Sequence, residues 1–77
     1  MTYDGSLYYV AFQWSPISDQ YELAYITTQK YNLENFVNRY VPLGALIKGY
    51  RWNAHDPELR LIYSNGNWAK KGGVLDE

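Results

Sequence analysis

Seventy-seven residues with 7 Lys+Arg, 8 Asp+Glu and a net charge of −1 are enough for one small domain, residues 1–77. The chain has no cysteine, which excludes disulfides and thiolate metal sites, and its single histidine cannot build a multi-histidine centre. No apolar run approaches the ~20 residues of a membrane-spanning helix, and the N-terminus lacks a basic signal-peptide region, so the expectation is an intracellular protein with no membrane contact and no cofactor.

A domain this short buries only about 60% of its unfolded surface. Apolar residues make up 47% of it, but nine of these are Tyr, beside three Trp and two Phe. Tyrosine must therefore serve as core and surface at once, since its ring is apolar and its hydroxyl seeks a partner. Half-buried sheet positions and binding surfaces both use it this way. Charge is uneven. Residues 1–29 sum to −3 and residues 43–71 to +3.

Leu7 to Trp14 reads as a strand with two largely apolar faces, hence central or two-sided. Ser15, Pro16, Ile17, Ser18 and Asp19 supply turn chemistry. Tyr21 to Thr28 reads as the second strand, antiparallel to the first. Residues 32–41 read as a helix with Asn32 as N-cap and Glu34 in the first turn. Leu33, Phe36, Val37, Tyr40 and Val41 form its apolar stripe, and Pro42 stops it.

Ala45 to Trp52 is the third strand. Leu46, Lys48, Tyr50 and Trp52 lie on one side, with Ala45, Ile47, Gly49 and Arg51 on the other. Gly49 signals a bulge or a close backbone approach. Asn53 to Glu58 reads as a loop, and Leu59–Tyr63 and Trp68–Lys71 as strands around Asn65-Gly66, a strong hairpin signal. A two-residue turn there sets Tyr63 opposite Trp68 and Arg60 opposite Lys71. That like-charge pair calls for an acidic neighbour such as Glu58 or Glu77, or for an anionic partner. The order ββαβββ predicts a single two-layer α+β domain with a mostly antiparallel sheet and one amphipathic helix. A small OB-like or SH3-like barrel is the alternative.

Catalytic signatures are absent, so the expectation is not an enzyme: there is no Cys nucleophile, no G-x-S-x-G elbow and no phosphate loop. His55, Asp56 and Glu58 in one loop read as a solvated polar segment before they read as a cation site. The leading expectation is a protein-binding module, because one helix can cover only one sheet face. Its size and composition are those of stand-alone inhibitors or adaptors encoded by phages and mobile elements, anti-CRISPR proteins among them. The expected patch is Lys48, Tyr50, Arg51, Trp52, Arg60, Tyr63, Trp68, Lys70 and Lys71, facing an acidic protein surface. The competing reading places Tyr50 and Trp52 in the core under the helix. Two further readings are a homo-oligomeric structural subunit and a nucleic-acid binder that stacks bases on Tyr50, Trp52, Tyr63 and Trp68.

Overall fold

A computed structural model describes the backbone of residues 7–53 and 56–70, and the side chains of the same residues apart from Asp56 and Pro57. Among these residues five strands form one open antiparallel sheet in the order β2-β1-β3-β4-β5: β1 Leu7–Ser15, β2 Gln20–Thr27, β3 Ile47–Asn53, β4 Asp56–Ser64 and β5 Asn67–Trp68. One helix, α1 Lys30–Tyr40, covers one face and runs into a 3₁₀ turn, Val41–Leu43. This is the two-layer ββαβββ domain that the apolar patterning predicts. The barrel alternative is corrected: β2 and β5 are the two ends of an open sheet.

The sequence places β1 inside the sheet because both of its faces are apolar, and it lies between β2 and β3. The helix-side core joins Ala11, Leu33, Val37, Ile47, Ile62 and Tyr63, with Tyr9, Tyr25, Phe36, Tyr40 and Val41 packed around them. The expected helical stripe is therefore the buried one. Phe36 stacks flat on Tyr25, with centroids 5.0 Å apart and planes 4° apart, and tilts against Tyr40.

Helix boundaries differ from expectation at both ends. The helix starts at Lys30 behind Gln29, and Asn32 lies within its first turn. The Asn32 amide donates to Thr27 Oγ1 at 3.1 Å, tying the helix back to β2 where a cap to the helix had been expected. Glu34 consequently falls outside the first turn. At the other end Pro42 does not end the helical path; it sits at the start of the 3₁₀ turn, where its missing N–H costs nothing. Gly44, at φ 96°, is the terminator. Its N–H reaches Val41 O and the Ala45 N–H reaches Tyr40 O, the paired bonds of a Schellman closure.

Two bulges set which side chains face the helix. Between β3 and β4, Gly49 pairs with Tyr63 and Tyr50 with Leu61, so Ile62 is extra. A bulge of this kind points neighbouring residues to the same side, and both Ile62 and Tyr63 enter the helix-side core. Gly49 permits it: a Cβ there would lie 3.1 Å from Tyr63 Cβ and 3.3 Å from Leu33 Cδ2. Gly49 was expected to mark a bulge or a close backbone approach; the bulge lies beside it with its extra residue on β4, and the close approach is by the side chains of Tyr63 and Leu33. A second bulge makes Ala24 extra between β1 and β2.

The expected loop over residues 53–58 is shorter than read, since Asn53 pairs with Asp56 and β4 begins there. Proline is tolerated in a strand that has a second, unladdered side, and among the described residues β5 pairs with β4 only at Tyr63 and Ser64, extended by Ala69 N–H to Ile62 O. The last hairpin follows its predicted register. Tyr63 faces Trp68, Ser64 faces Asn67, and Asn65 and Gly66 have φ of 51° and 90°.

Candidate functional site

Alternation along the four neighbouring strands β2, β1, β3 and β4 lays a continuous aromatic field on the face away from the helix. From β1 come Tyr8, Val10, Phe12 and Trp14; from β2 Tyr21, Leu23 and Ile26; from β3 Lys48, Tyr50 and Trp52; from β4 Leu59 and Leu61. The rings meet across strands. Tyr8 and Trp52 are 5.6 Å apart and tilted by 40°; Phe12 and Tyr50 meet edge to face at 5.4 Å; Trp14 and Tyr21 do so at 5.3 Å. Such pairs hold each ring in one orientation and add about 0.5–1.5 kcal/mol each beyond burial.

The row Val10, Tyr50 and Leu61 runs straight across β1, β3 and β4. Val10 and Leu61 are buried although, among the described residues, no helix lies above them. The neighbouring rings are their roof. The field is thus a packed layer one side chain thick, rigid beneath and half-exposed above. Leu23, Ile26 and Leu59 at its margins are 60%, 56% and 47% exposed. Phe12, Tyr21, Lys48, Tyr50 and Leu59 line a shallow depression of about 310 Å³. Lys48 Nζ lies 4.8 Å above the Tyr21 ring, so the field's cation is held by a cation–π contact.

The expected patch is divided between the two faces. Lys48, Tyr50 and Trp52 lie together in the aromatic field, and the reading of Tyr50 and Trp52 as core under the helix is corrected. Arg51 and Arg60 pair with each other across β3 and β4 on the helix side. Glu58 Oε1 lies 3.1 Å from Arg60 Nη2; the like-charge pair anticipated for Arg60 was with Lys71, which lies outside the described residues. Leu7, Arg51, Asn53, Glu58 and Arg60 line a separate hollow of about 220 Å³.

Tyr63 is 2% exposed and belongs to the core, with Trp68 4.6 Å from it and Lys30 Nζ 5.7 Å from the Trp68 ring. Lys70 is exposed beyond β5. Lys71, His55 and Glu77 lie outside the described residues. Tyr8, Phe12, Trp14 and Tyr21 were missed as site residues, although the parity of Leu7–Trp14 already put Tyr8, Val10, Phe12 and Trp14 on one face. What parity alone lacked was the pairing of that face with the Tyr50 face, which β1–β3 adjacency supplies.

Among the described residues no three His, Asp or Glu side chains gather as a metal site. No helix there is long and apolar enough to cross a membrane. No protein-family model matches the chain, and neither a curated protein nor a solved structure matches it.

Proposed function

We propose that this domain is a non-catalytic protein-binding module whose interface is the helix-free aromatic face. The observation that carries the reading is the roofed layer itself: six aromatic rings from three strands, fixed by mutual contacts, with apolar Leu23, Ile26 and Leu59 around them. Contiguous exposed apolar surface on a soluble domain marks an interaction site. Rings already immobilised lose little entropy on binding, which favours a preorganised interface. The partner is a protein surface with an apolar centre and an acidic group positioned to meet Lys48. A stand-alone inhibitor or adaptor, of the kind that phages and mobile elements encode, would use such a face.

The distribution of charge weighs against nucleic acid. Stacking modules interleave rings and cations on one surface, whereas here Lys48 shares the ring face and Arg51 and Arg60 occupy the other. A titration with single-stranded oligo(dT) at low salt checks this directly, and little or no binding is expected. The protein-binding reading is tested by capturing partners from the source cell with the wild-type domain, with Leu59→Lys and with Arg51→Glu. Leu59→Lys should lose the captured protein and Arg51→Glu should retain it. Equal capture by both variants, or tight oligo(dT) binding that falls steeply with salt, would contradict the proposal.

A further inference from the structure

We infer that the outer edge of β2 is a self-association site, on which a second copy of this chain pairs antiparallel to form a continuous ten-stranded sheet. Among the described residues β2 is laddered on the β1 side alone. Edge strands are ordinarily blunted by Lys, Pro or brevity. This one runs for eight residues, Gln20–Thr27, with Glu22 as its only charge and no Pro. Leu23, Ala24 and Ile26 are exposed along it.

The register argues for a copy rather than an unrelated strand. When all eight residues pair about a two-fold axis, Gln20 of one copy faces Thr27 of the other, Tyr21 faces Ile26, Glu22 faces Tyr25, and Leu23 faces Ala24. Because Ala24 is the extra residue of the β1–β2 bulge, Tyr21, Leu23 and Ile26 lie on the aromatic face, while Gln20, Glu22, Tyr25 and Thr27 lie on the helix side. The two-fold register therefore matches face to face on both sides of the bulge. A slip of one residue would set Tyr21 against Tyr25 and cross the faces. Glu22 meets Tyr25, so no acid opposes an acid. Leu23 and Ile26 are then covered across the seam, and the two aromatic faces become one surface. A single pair of eight-residue strands makes a small contact, so a weak dimer is expected, with Kd on the order of 100 µM.

The test is sedimentation equilibrium of the whole chain from 10 µM to 1 mM (on the order of the expected Kd), with Leu23→Lys, Leu59→Lys and Leu43→Lys. Wild type should pass from monomer to dimer. Leu23→Lys sets two ammonium groups near the axis and should weaken dimerisation about tenfold or more. Leu59→Lys, on the aromatic face, and Leu43→Lys, on the 3₁₀ turn, should dimerise as wild type does. Circular dichroism confirms that each variant is folded. A bulge can also serve to keep an edge unpaired; wild type that stays monomeric at 1 mM overturns the inference. So does a dimer that survives Leu23→Lys but is lost in Leu59→Lys, which would place self-association on the aromatic face.

Discussion

Gly49 shows how one residue decides which side chains the sheet displays. Its missing Cβ leaves room for Tyr63 at 3.1 Å and Leu33 at 3.3 Å, and the adjoining bulge turns Tyr63 from the aromatic side to the helix side. Gly49→Val is expected to lower stability by about 1–3 kcal/mol through overpacking, read as a shift in the urea midpoint. An unchanged midpoint would mean that the contact is looser than described. Gly66→Val should also destabilise, because φ is 90° there and a β-branched residue resists it. Space is not the obstacle at that position, since nothing lies within 4 Å of a Cβ built on Gly66. A glycine in a strand was legible as a bulge signal. That the bulge would send Tyr63 and Trp68 away from Tyr50 and Trp52 was not, because a one-residue insertion reverses parity and leaves composition untouched.

At the scale of elements, the helix and the last hairpin were legible because each carries its own punctuation. The stripe of Leu33, Val37 and their neighbours has one period, and Asn65-Gly66 fits one turn type. Leu33→Ala should cost about 2–5 kcal/mol, since Leu33 is fully buried under the sheet. Phe36→Ala should cost less than the ~3–5 kcal/mol of a buried ring, because Phe36 keeps one edge in water against Tyr25 and Tyr40. Equilibrium denaturation of both variants checks this order, and a larger loss for Phe36→Ala would reverse the account of the core. The helix ends were harder to read. Asn32 suits a cap by type, yet its amide goes to Thr27 on another element, a choice made by tertiary position. Pro42 reads as a stop, yet proline also fits the first residues of a new turn, and Gly44 with its positive φ is what closes the segment.

At the scale of the whole molecule, the described residues form a sheet with two unlike faces. One is completed by a helix of the chain's own, and the other by a layer of rings that covers Val10 and Leu61 and then meets solvent. The sequence foretold that one helix would leave a face uncovered. It did not foretell how β1 and β3 would join their rings, since strand order is set by which pairings bury most, and no local signal records it. The interface reading has one direct test. A photo-crosslinking amino acid is placed singly at positions 50 and 59 on the aromatic face, away from the β2 edge, and at positions 35 and 39 on the helix's outer side, and the crosslinks formed in the source cell are identified by mass spectrometry. Positions 50 and 59 should capture the same protein, and positions 35 and 39 should not. Crosslinks from 35 and 39 with none from 50 and 59 would contradict the assignment of the aromatic face as the interface.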